Sequence, residues 1–222
     1  MGVVAHDLRS PLNNIKGLLT LMKGDLNFKK VEGEGGQYFK LLTNSTNQMR
    51  EMIDKVLDIN AIEEMKLNLN LQKYDLGKII TGVSENFTFL ASKKNIQIHN
   101  QFELNKYYAE VDWNYMTQVL DNLLSNAIKF SEPGKNVFLN VAKEKSFVVV
   151  SVTDEGPGIS EKDRSKLFTK FQRLGAKPTG DEQSIGLGLS IVKKFVKAMN
   201  GDIRCESELG KGSSFLVKFE SA

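Results

Sequence analysis

One segment of this sequence carries three polar side chains that suit a nucleotide and its metal ion. Asn122, Asn126 and Lys129 recur at spacings of four and three, so on an α-helix they fall within about 60° of one another. Carboxamide oxygens are ligands that Mg²⁺ accepts, and an ammonium group attracts phosphate. The stripe also borders an apolar helix face, so the alternative is the ordinary polar edge of a half-buried helix.

Two glycine-containing segments have residue types that fit the same chemistry. Asp154 ends an apolar run and precedes Gly156 and Gly158. Such a carboxylate can accept a hydrogen bond from the exocyclic amine of adenine, and the glycines allow the backbone to lie close to the plane of the base. The segment 184–189 puts glycines before a helix, where backbone N–H groups attract anions. A plain glycine-proline turn is the alternative for the first segment, and the second lacks the strand-turn-helix spacing of a Rossmann or P-loop site. The aperiodic polar stretch 173–184 between the two segments predicts a mobile lid.

His6 is the candidate nucleophile. On a helix it lies about 200° from Leu8 and points away from the apolar seam. Asp7 could accept the proton of one ring nitrogen and leave the other nucleophilic. An exposed histidine is also commonly a solvated side chain with no role. Moreover, Ser10 and Pro11 resemble an N-cap and a first helical residue, so the helix could begin after His6; a helix that runs through should kink at Pro11.

The first 66 residues predict two amphipathic helices joined by a loop near 27–36. Their apolar residues recur at spacings of three and four, as in a helical bundle. One hairpin cannot cover this much apolar surface, so we expect two chains to pair as a homodimeric four-helix bundle. The seam residues are Leu8, Leu12, Ile15, Leu19 and Met22 in the first helix, and Leu42, Met49, Ile53 and Val56 in the second.

From about Tyr74 onward the sequence predicts mixed α and β structure. We expect helices over 76–92, 113–130 and 186–199, and strands near 96–104, 137–141, 147–152, 203 and 215–219. Asp112 is placed as the N-cap of the second of these helices. The run 147–152 is apolar on both faces and predicts a central strand. The fold class is therefore α+β: a helical hairpin followed by an α/β sandwich with one helical layer over a mixed sheet.

Composition excludes several classes of protein. The net charge of +3 is small and its charges are interleaved, so we expect no nucleic-acid partner and no membrane contact by this segment. A single cysteine excludes an internal disulfide framework and fits a reducing, cytoplasmic compartment. No apolar run approaches the ~18 residues of a membrane span. The chain opens within a helical pattern, so we expect a sensor region upstream that could anchor the full-length protein in a membrane.

Taken in order, five segments resemble the conserved boxes of sensor histidine kinases over essentially the whole chain. They are 6–12 (H box), 121–131 (N box), 154–159 (G1 box), 167–171 (F box) and 186–189 (G2 box). The resemblance implies a dimerisation and phosphoacceptor hairpin over residues 1–68. It also implies a Bergerat-type ATP-binding domain over residues 69–222.

The resemblance also assigns roles to individual residues. It makes Asn122 and Asn126 the ligands of Mg²⁺, Lys129 a phosphate contact and Asp154 the residue that reads adenine. The other implied nucleotide contacts are Gly156, Gly158, Phe171, Gly186, Leu187 and Gly188. The implied catalytic set is His6, Asp7, Ser10, Lys129 and Arg173, with Arg173 reaching the γ-phosphate.

The implied activity is transfer of the γ-phosphoryl group of ATP to His6, then to an aspartate of a response regulator receiver domain. Related ATPases of the Hsp90, MutL and gyrase type carry a glutamate where this chain has Asn122; an amide cannot activate water in that way, so the kinase is favoured. The rivals are an ATP-driven conformational ATPase and a non-catalytic scaffold. Asp7 replaces the commoner glutamate, Ser10 the commoner threonine or asparagine, and Ser184-Ile185 the commoner Gly-Thr. Because of Ser10, the sequence makes no prediction about phosphatase activity.

Overall fold

The computed structural model describes residues 68–104, 106–169, 175, 178–179 and 188–222, together with single positions between residues 12 and 49. The chain divides into two compact units, Met1–Leu67 and Asn68–Ala222. In the first unit the described positions within 12–20 and 42–49 are helical. Leu12, Leu19 and Thr46 are buried there, which agrees with helices at both predicted places.

The second unit consists of four helices and seven strands within its described residues. In chain order these are β1 (Gln72–Asp75), α1 (Leu76–Ser92), β2 (Gln97–Asn100), β3 (Tyr108–Val111), α2 (Trp113–Phe130), β4 (Asn136–Glu144), β5 (Phe147–Asp154), α3 (Glu161–Arg164), α4 (Gly188–Ala198), β6 (Asp202–Glu208) and β7 (Gly212–Glu220).

Five strands form a mixed sheet in the order β2-β4-β5-β7-β6. Strand β2 runs parallel to β4, and the other neighbours are antiparallel. Strand β5 is the middle strand, which confirms the prediction of a central strand over 147–152. The remaining strands, β1 and β3, form a small antiparallel sheet with each other, and Ala109 of β3 also makes an isolated antiparallel bridge to Ser221 after β7.

The core of the second unit lies between the helices and the sheet. Apolar side chains from both layers face one another there: Ile80 and Val83 of α1, Leu120 and Leu124 of α2, Leu139 of β4 and Val152 of β5. Helix α4 packs beside α2 and contributes the buried Phe195. Because apolar burial dominates the stability of such domains, this layer fixes where the polar edge of α2 lies. The predicted α/β sandwich with one helical layer is confirmed.

Helix α2 begins at Trp113 because Asp112 caps it. One carboxylate oxygen of Asp112 accepts hydrogen bonds from the backbone N–H groups of Asn114 and Tyr115, at 2.9 and 3.1 Å. Its other oxygen accepts from the N–H of Asn70 at 2.8 Å. The predicted cap and both helix ends are therefore confirmed, and the cap also ties the start of this unit to α2.

Several features of the second unit differ from the prediction, among them the short helix α3 (Glu161–Arg164), which was not predicted. The strand expected over 96–104 ends at Asn100. Beyond it the chain leaves the sheet, and the ring of Phe102 packs against Gly77 at the start of α1. The pair β1–β3 was not predicted, because four-residue strands show too few alternations to be recognised. No helix in the described part of the chain is both long and apolar enough to cross a membrane.

Candidate functional site

Helices α2 and α4 meet at the predicted nucleotide residues. A Cβ atom built on Gly188, the first residue of α4, would lie 2.8 Å from Oδ1 of Asn122. A side chain at position 188 would therefore have to displace the amide group of Asn122. The first backbone N–H groups of a helix have no partner within it and carry the positive end of its dipole. The amide oxygen of Asn122 thus lies beside a part of the fold that attracts anions.

The orientation of Asn122 is fixed by its own helix. Its Nδ2 donates a hydrogen bond to the carbonyl oxygen of Gln118 at 2.9 Å. Its Oδ1 is the atom that faces Gly188. Asn126 and Lys129 follow on the same face of α2, and all three side chains are half-buried. The three polar residues predicted from the sequence therefore border the junction between α2 and α4. The uncharged Oδ1 atom of Asn122 points into this junction.

The Asn122 and Asn126 amides fit a magnesium site by their donor chemistry. Mg²⁺ takes oxygen ligands and in nucleotide sites is held by one or two protein groups together with phosphate oxygens. Among the described residues no group of three or more His, Cys, Asp or Glu side chains could hold a metal ion. An ion at this junction would therefore depend on amide oxygens and on the nucleotide itself.

Asp154 is the buried carboxylate at the end of the central strand. It is only 7% exposed, and one of its oxygens accepts a hydrogen bond from the N–H of Gly156 at 2.9 Å. Burial raises the pKa of this carboxyl from 3.8 to about 6, although hydrogen bonds from the N–H groups of Gly156 and Ser213 work in the opposite direction. Burying such a group is costly, so Asp154 is a candidate for a functional acceptor.

Gly156 joins the end of β5 to the last turn of α2. A Cβ atom there would lie 2.8 Å from Oδ1 of Asp154 and 3.1 Å from the carbonyl oxygen of Phe130. Gly158 has a positive φ of 69°, and a Cβ atom on it would overlap the carbonyl oxygen of Glu208. The requirement for glycine at 158 thus comes from packing against the end of β6; its predicted contact with a nucleotide stays a prediction.

Two contributors to this site were missed in the sequence. Gly212 has φ of 91° and packs its α-carbon against the backbone of Asp154, where a Cβ atom would overlap the carbonyl oxygen. Glu155 accepts hydrogen bonds from the backbone N–H and from Nδ2 of Asn136, at 2.9 and 3.1 Å, which lower the pKa of its carboxyl. The two closely spaced glycines at 210 and 212 could have drawn attention to Gly212, whereas nothing in the sequence pointed to the role of Glu155.

The structure therefore places some predicted residues and not others. It brings Asn122 and Gly188 together, and it groups Asp154 with Gly156 near the end of α2. Asn126 and Lys129 follow Asn122 along α2, and Gly158 packs against the end of β6. Seven predicted residues lie outside the described part of the chain: His6, Asp7, Ser10, Phe171, Arg173, Gly186 and Leu187.

Two family models match this chain. The model described as Histidine kinase-, DNA gyrase B-, and HSP90-like ATPase matches residues 111–222. The model described as His Kinase A (phospho-acceptor) domain matches residues 1–64. The first match covers α2, β5 and α4, which carry the junction around Asn122 and the buried Asp154.

Individual proteins give the same result. The chain is 33% identical over 220 residues to the circadian input-output histidine kinase CikA of Synechococcus elongatus, covering 98% of this chain and 29% of that protein. It is 29% identical over 214 residues to the sensor histidine kinase WalK of Bacillus subtilis, covering 95% and 34%. The crystal structure of full-length ShkA in complex with AMPPNP has a TM-score of 0.83 at 26% identity, covering 100% of this chain and 46% of that one. The chain thus spans less than half the length of each.

Proposed function

Because this chain belongs to the histidine kinase-, DNA gyrase B- and HSP90-like ATPase family, and to the sensor histidine kinases within it, we propose that it is a histidine autokinase core. It transfers the γ-phosphoryl group of ATP to His6 and then to an aspartate of a response regulator, as part of two-component signal transduction. ATP as the nucleotide is supported by the matched ATPase family and by the AMPPNP complex of ShkA.

The observation that carries the proposal is the neutral oxygen of Asn122 beside the first turn of α4. A glutamate at this position could accept a proton from water, but an amide cannot. The junction therefore suits the binding of a nucleotide for transfer and not its hydrolysis. Together with a phosphoacceptor match over residues 1–64, this favours the kinase over the ATP-driven conformational ATPase.

In this proposal the described residues hold the nucleotide in place. The ionised carboxylate of Asp154 accepts a hydrogen bond from the exocyclic amine of adenine, and Gly156, which has no side chain, leaves room for the base. Lys129 and the N-terminus of α4 attract the phosphates. Asn122 and Asn126 hold Mg²⁺, which neutralises phosphate charge when it is bound. Most of the catalysis then comes from positioning and charge stabilisation.

The reacting group in this proposal is His6. An unprotonated ring nitrogen of His6 forms a bond to the γ-phosphorus as the bond to the β–γ bridging oxygen breaks, and ADP leaves. Asp7 accepts the proton from the other ring nitrogen, and Arg173 stabilises charge on the transferred group. Ser10 follows His6 by four positions in the sequence, where the family resemblance implies a residue that orients water for dephosphorylation.

We also propose that residues 1–68 form the dimerisation and phosphoacceptor hairpin and residues 69–222 the catalytic domain. Apolar seam residues of the hairpin are exposed in the single chain: Ile15 at 43%, Leu42 at 51% and Met49 at 49%. A homodimeric bundle would bury them. The receiver domain of a response regulator is the second protein partner, and the segment acts in the cytoplasm.

The test is transfer of labelled γ-phosphate from Mg·ATP to the chain, beside a His6→Gln variant. The expected label is lost in acid, survives alkali and is absent from the variant, as for a phosphohistidine at position 6. His99 is the other histidine of the chain, so a His99→Gln variant is the matched control and should keep the label. A wild-type chain that binds ATP without becoming labelled would contradict the proposal.

A further inference from the structure

We propose that Lys94 and Thr179 position Lys129 for the phosphates of ATP by fixing the last turn of α2. This inference rests on the proposed function, in which Lys129 contacts phosphate. We call the set made by the Lys94 ammonium, Thr179 and the carbonyl groups of Ile128, Lys129 and Ser131 the α2 clamp. Neither Lys94 nor Thr179 belongs to the residues that the sequence singled out.

Thr179 binds the end of α2 through its backbone and its side chain. Its N–H donates to the carbonyl oxygen of Lys129 at 3.1 Å. Its hydroxyl lies 2.7 Å from the carbonyl oxygen of Ser131 and 3.2 Å from that of Lys129. Because a hydroxyl has one proton, the shorter of these two contacts is the stronger hydrogen bond. Thr179 therefore holds the backbone on both sides of Phe130.

Lys94 completes the clamp from the turn after α1. Its Nζ lies 3.3 Å from the carbonyl oxygens of both Ile128 and Lys129, and it donates to the hydroxyl of Thr179 at 3.0 Å. The backbone of Lys94 is itself fixed, since its carbonyl oxygen accepts from the N–H of Gly134 at 2.9 Å. The ammonium group thus links α1, α2 and Thr179.

The location of the clamp explains what it can do. The last carbonyl groups of a helix have no partner within the helix, and they carry the negative end of its dipole. The Lys94 ammonium and the Thr179 hydroxyl bind these carbonyl groups and so stabilise the final turn of α2. Lys129 lies in this turn, and its carbonyl oxygen contacts both groups. Phe130, the next residue, has its carbonyl oxygen against Gly156. The same turn therefore serves the phosphate end of the site through Lys129 and the adenine end through Gly156.

A purely structural helix cap would have a different signature from a positioning role. Loss of a helix cap lowers the stability of the domain and weakens the binding of every ligand to the same extent. Loss of a group that positions Lys129 weakens ATP more than adenosine, because adenosine has no phosphates for Lys129 to contact. The two roles are therefore separated by comparing these ligands.

The experiment measures displacement of a fluorescent ATP analogue from the full chain by Mg·ATP and by adenosine. Thr179→Val removes the hydroxyl at nearly constant size, Thr179→Ser retains it, and Lys94→Met removes the cation. Thr88→Val is the matched control, since Thr88 is an exposed threonine whose hydroxyl contacts a helix carbonyl in α1 at 3.4 Å. Thermal unfolding of each variant is recorded alongside.

We expect Thr179→Val and Lys94→Met to weaken ATP binding about five- to tenfold, as for the loss of one or two net hydrogen bonds. Adenosine binding should change less than about twofold in the same variants, and Thr179→Ser should bind ATP like the wild type. In a Lys129→Met background, Thr179→Val should have no further effect on ATP, because the two substitutions act through one group.

Equal losses for ATP and adenosine would overturn the inference, and so would unchanged ATP binding in Thr179→Val or a full additional loss in the Lys129→Met background. All of these readouts are of binding, so they are independent of phosphoryl transfer. A wild-type chain that binds neither ATP nor its analogue would overturn the proposed function itself, and the clamp with it.

Discussion

Asp154 illustrates, at the scale of single residues, how function can oppose stability. A buried carboxylate is costly, and burial accordingly raises the pKa of Asp154 to about 6. Because the pKa is raised in the folded chain, the folded state binds the proton more tightly than the unfolded state between about pH 4 and 6. Stability therefore falls as the pH rises through this window, and the cost is complete at pH 7.

Replacing Asp154 by asparagine should therefore stabilise the protein in the absence of nucleotide. The difference between a pKa of about 6 and the ordinary 3.8 corresponds to at most about 3 kcal/mol at pH 7. Urea unfolding at pH 7 and at pH 4 measures it, and the gain should largely disappear at pH 4, where the wild-type carboxyl is protonated. The same variant should lose ATP binding. A variant that is destabilised equally at both pH values would contradict this reading of the carboxylate.

Gly156 makes a second prediction at this scale. Gly156→Ala places a methyl group against Oδ1 of Asp154 and the carbonyl oxygen of Phe130, so we expect ATP binding to weaken at least about tenfold, as for a misplaced binding group. Gly82→Ala is the control: nothing lies within 4 Å of its added Cβ, and alanine in a helix should stabilise it by about 0.5–1 kcal/mol. The measurements are nucleotide titration and urea unfolding, and similar behaviour of the two variants would contradict the role given to Gly156.

The sequence pointed to many of these residues but not to the reasons for them. Gly158 was interpreted as a neighbour of the base, yet its glycine is required by the carbonyl group of Glu208, a long-range contact. Thr179 was part of a stretch read only as a lid. Their roles depend on which distant backbone groups the fold brings near, and a one-dimensional pattern does not contain that information.

At the scale of elements, local signals predicted well where they are strong. Helix α1 covers 76–92 and α2 covers 113–130, as expected, because a capping aspartate and a long amphipathic pattern define each start. The strand β2 was predicted too long, since alternation continues into Phe102, whose ring turns to pack on α1. The pair β1–β3 depends on pairing between distant segments and left no local pattern.

The first residue of β7, Gly212, can be compared with Gly134 in the turn after α2. Gly212 and Gly134 both have positive φ, 91° and 80°, but only Gly212 meets backbone, at the carbonyl group of Asp154; nothing lies within 4 Å of a Cβ atom on Gly134. Gly134→Ala should lower the free energy of unfolding by about 1 kcal/mol, because alanine is strained at a positive φ. Gly212→Ala should lower the free energy of unfolding by more than about 3 kcal/mol, because the added methyl group also forces β7 away from the carbonyl group of Asp154 in β5. Urea unfolding of both variants measures the difference, and equal costs would show that the β5–β7 contact tolerates a side chain.

At the scale of the whole molecule, the two units have different parts in the proposed reaction. The second unit carries the nucleotide residues that the structure describes, and the first carries the proposed acceptor, His6. The fold class and the family could be predicted from the sequence because five separate motifs occur in one order along the chain. How the two units meet during phosphoryl transfer depends on contacts that no motif encodes.

In the proposed reaction, ATP is used for phosphoryl transfer to the protein and not for hydrolysis. The most direct measurement mixes an excess of the chain with labelled Mg·ATP and follows ADP, free phosphate and phosphorylated His6 over a single turnover. We predict that phosphohistidine appears in step with ADP, and that free phosphate lags behind both. Free phosphate that appears in step with ADP, with no phosphorylated protein at any time, would contradict the proposed kinase activity and identify the chain as an ATPase.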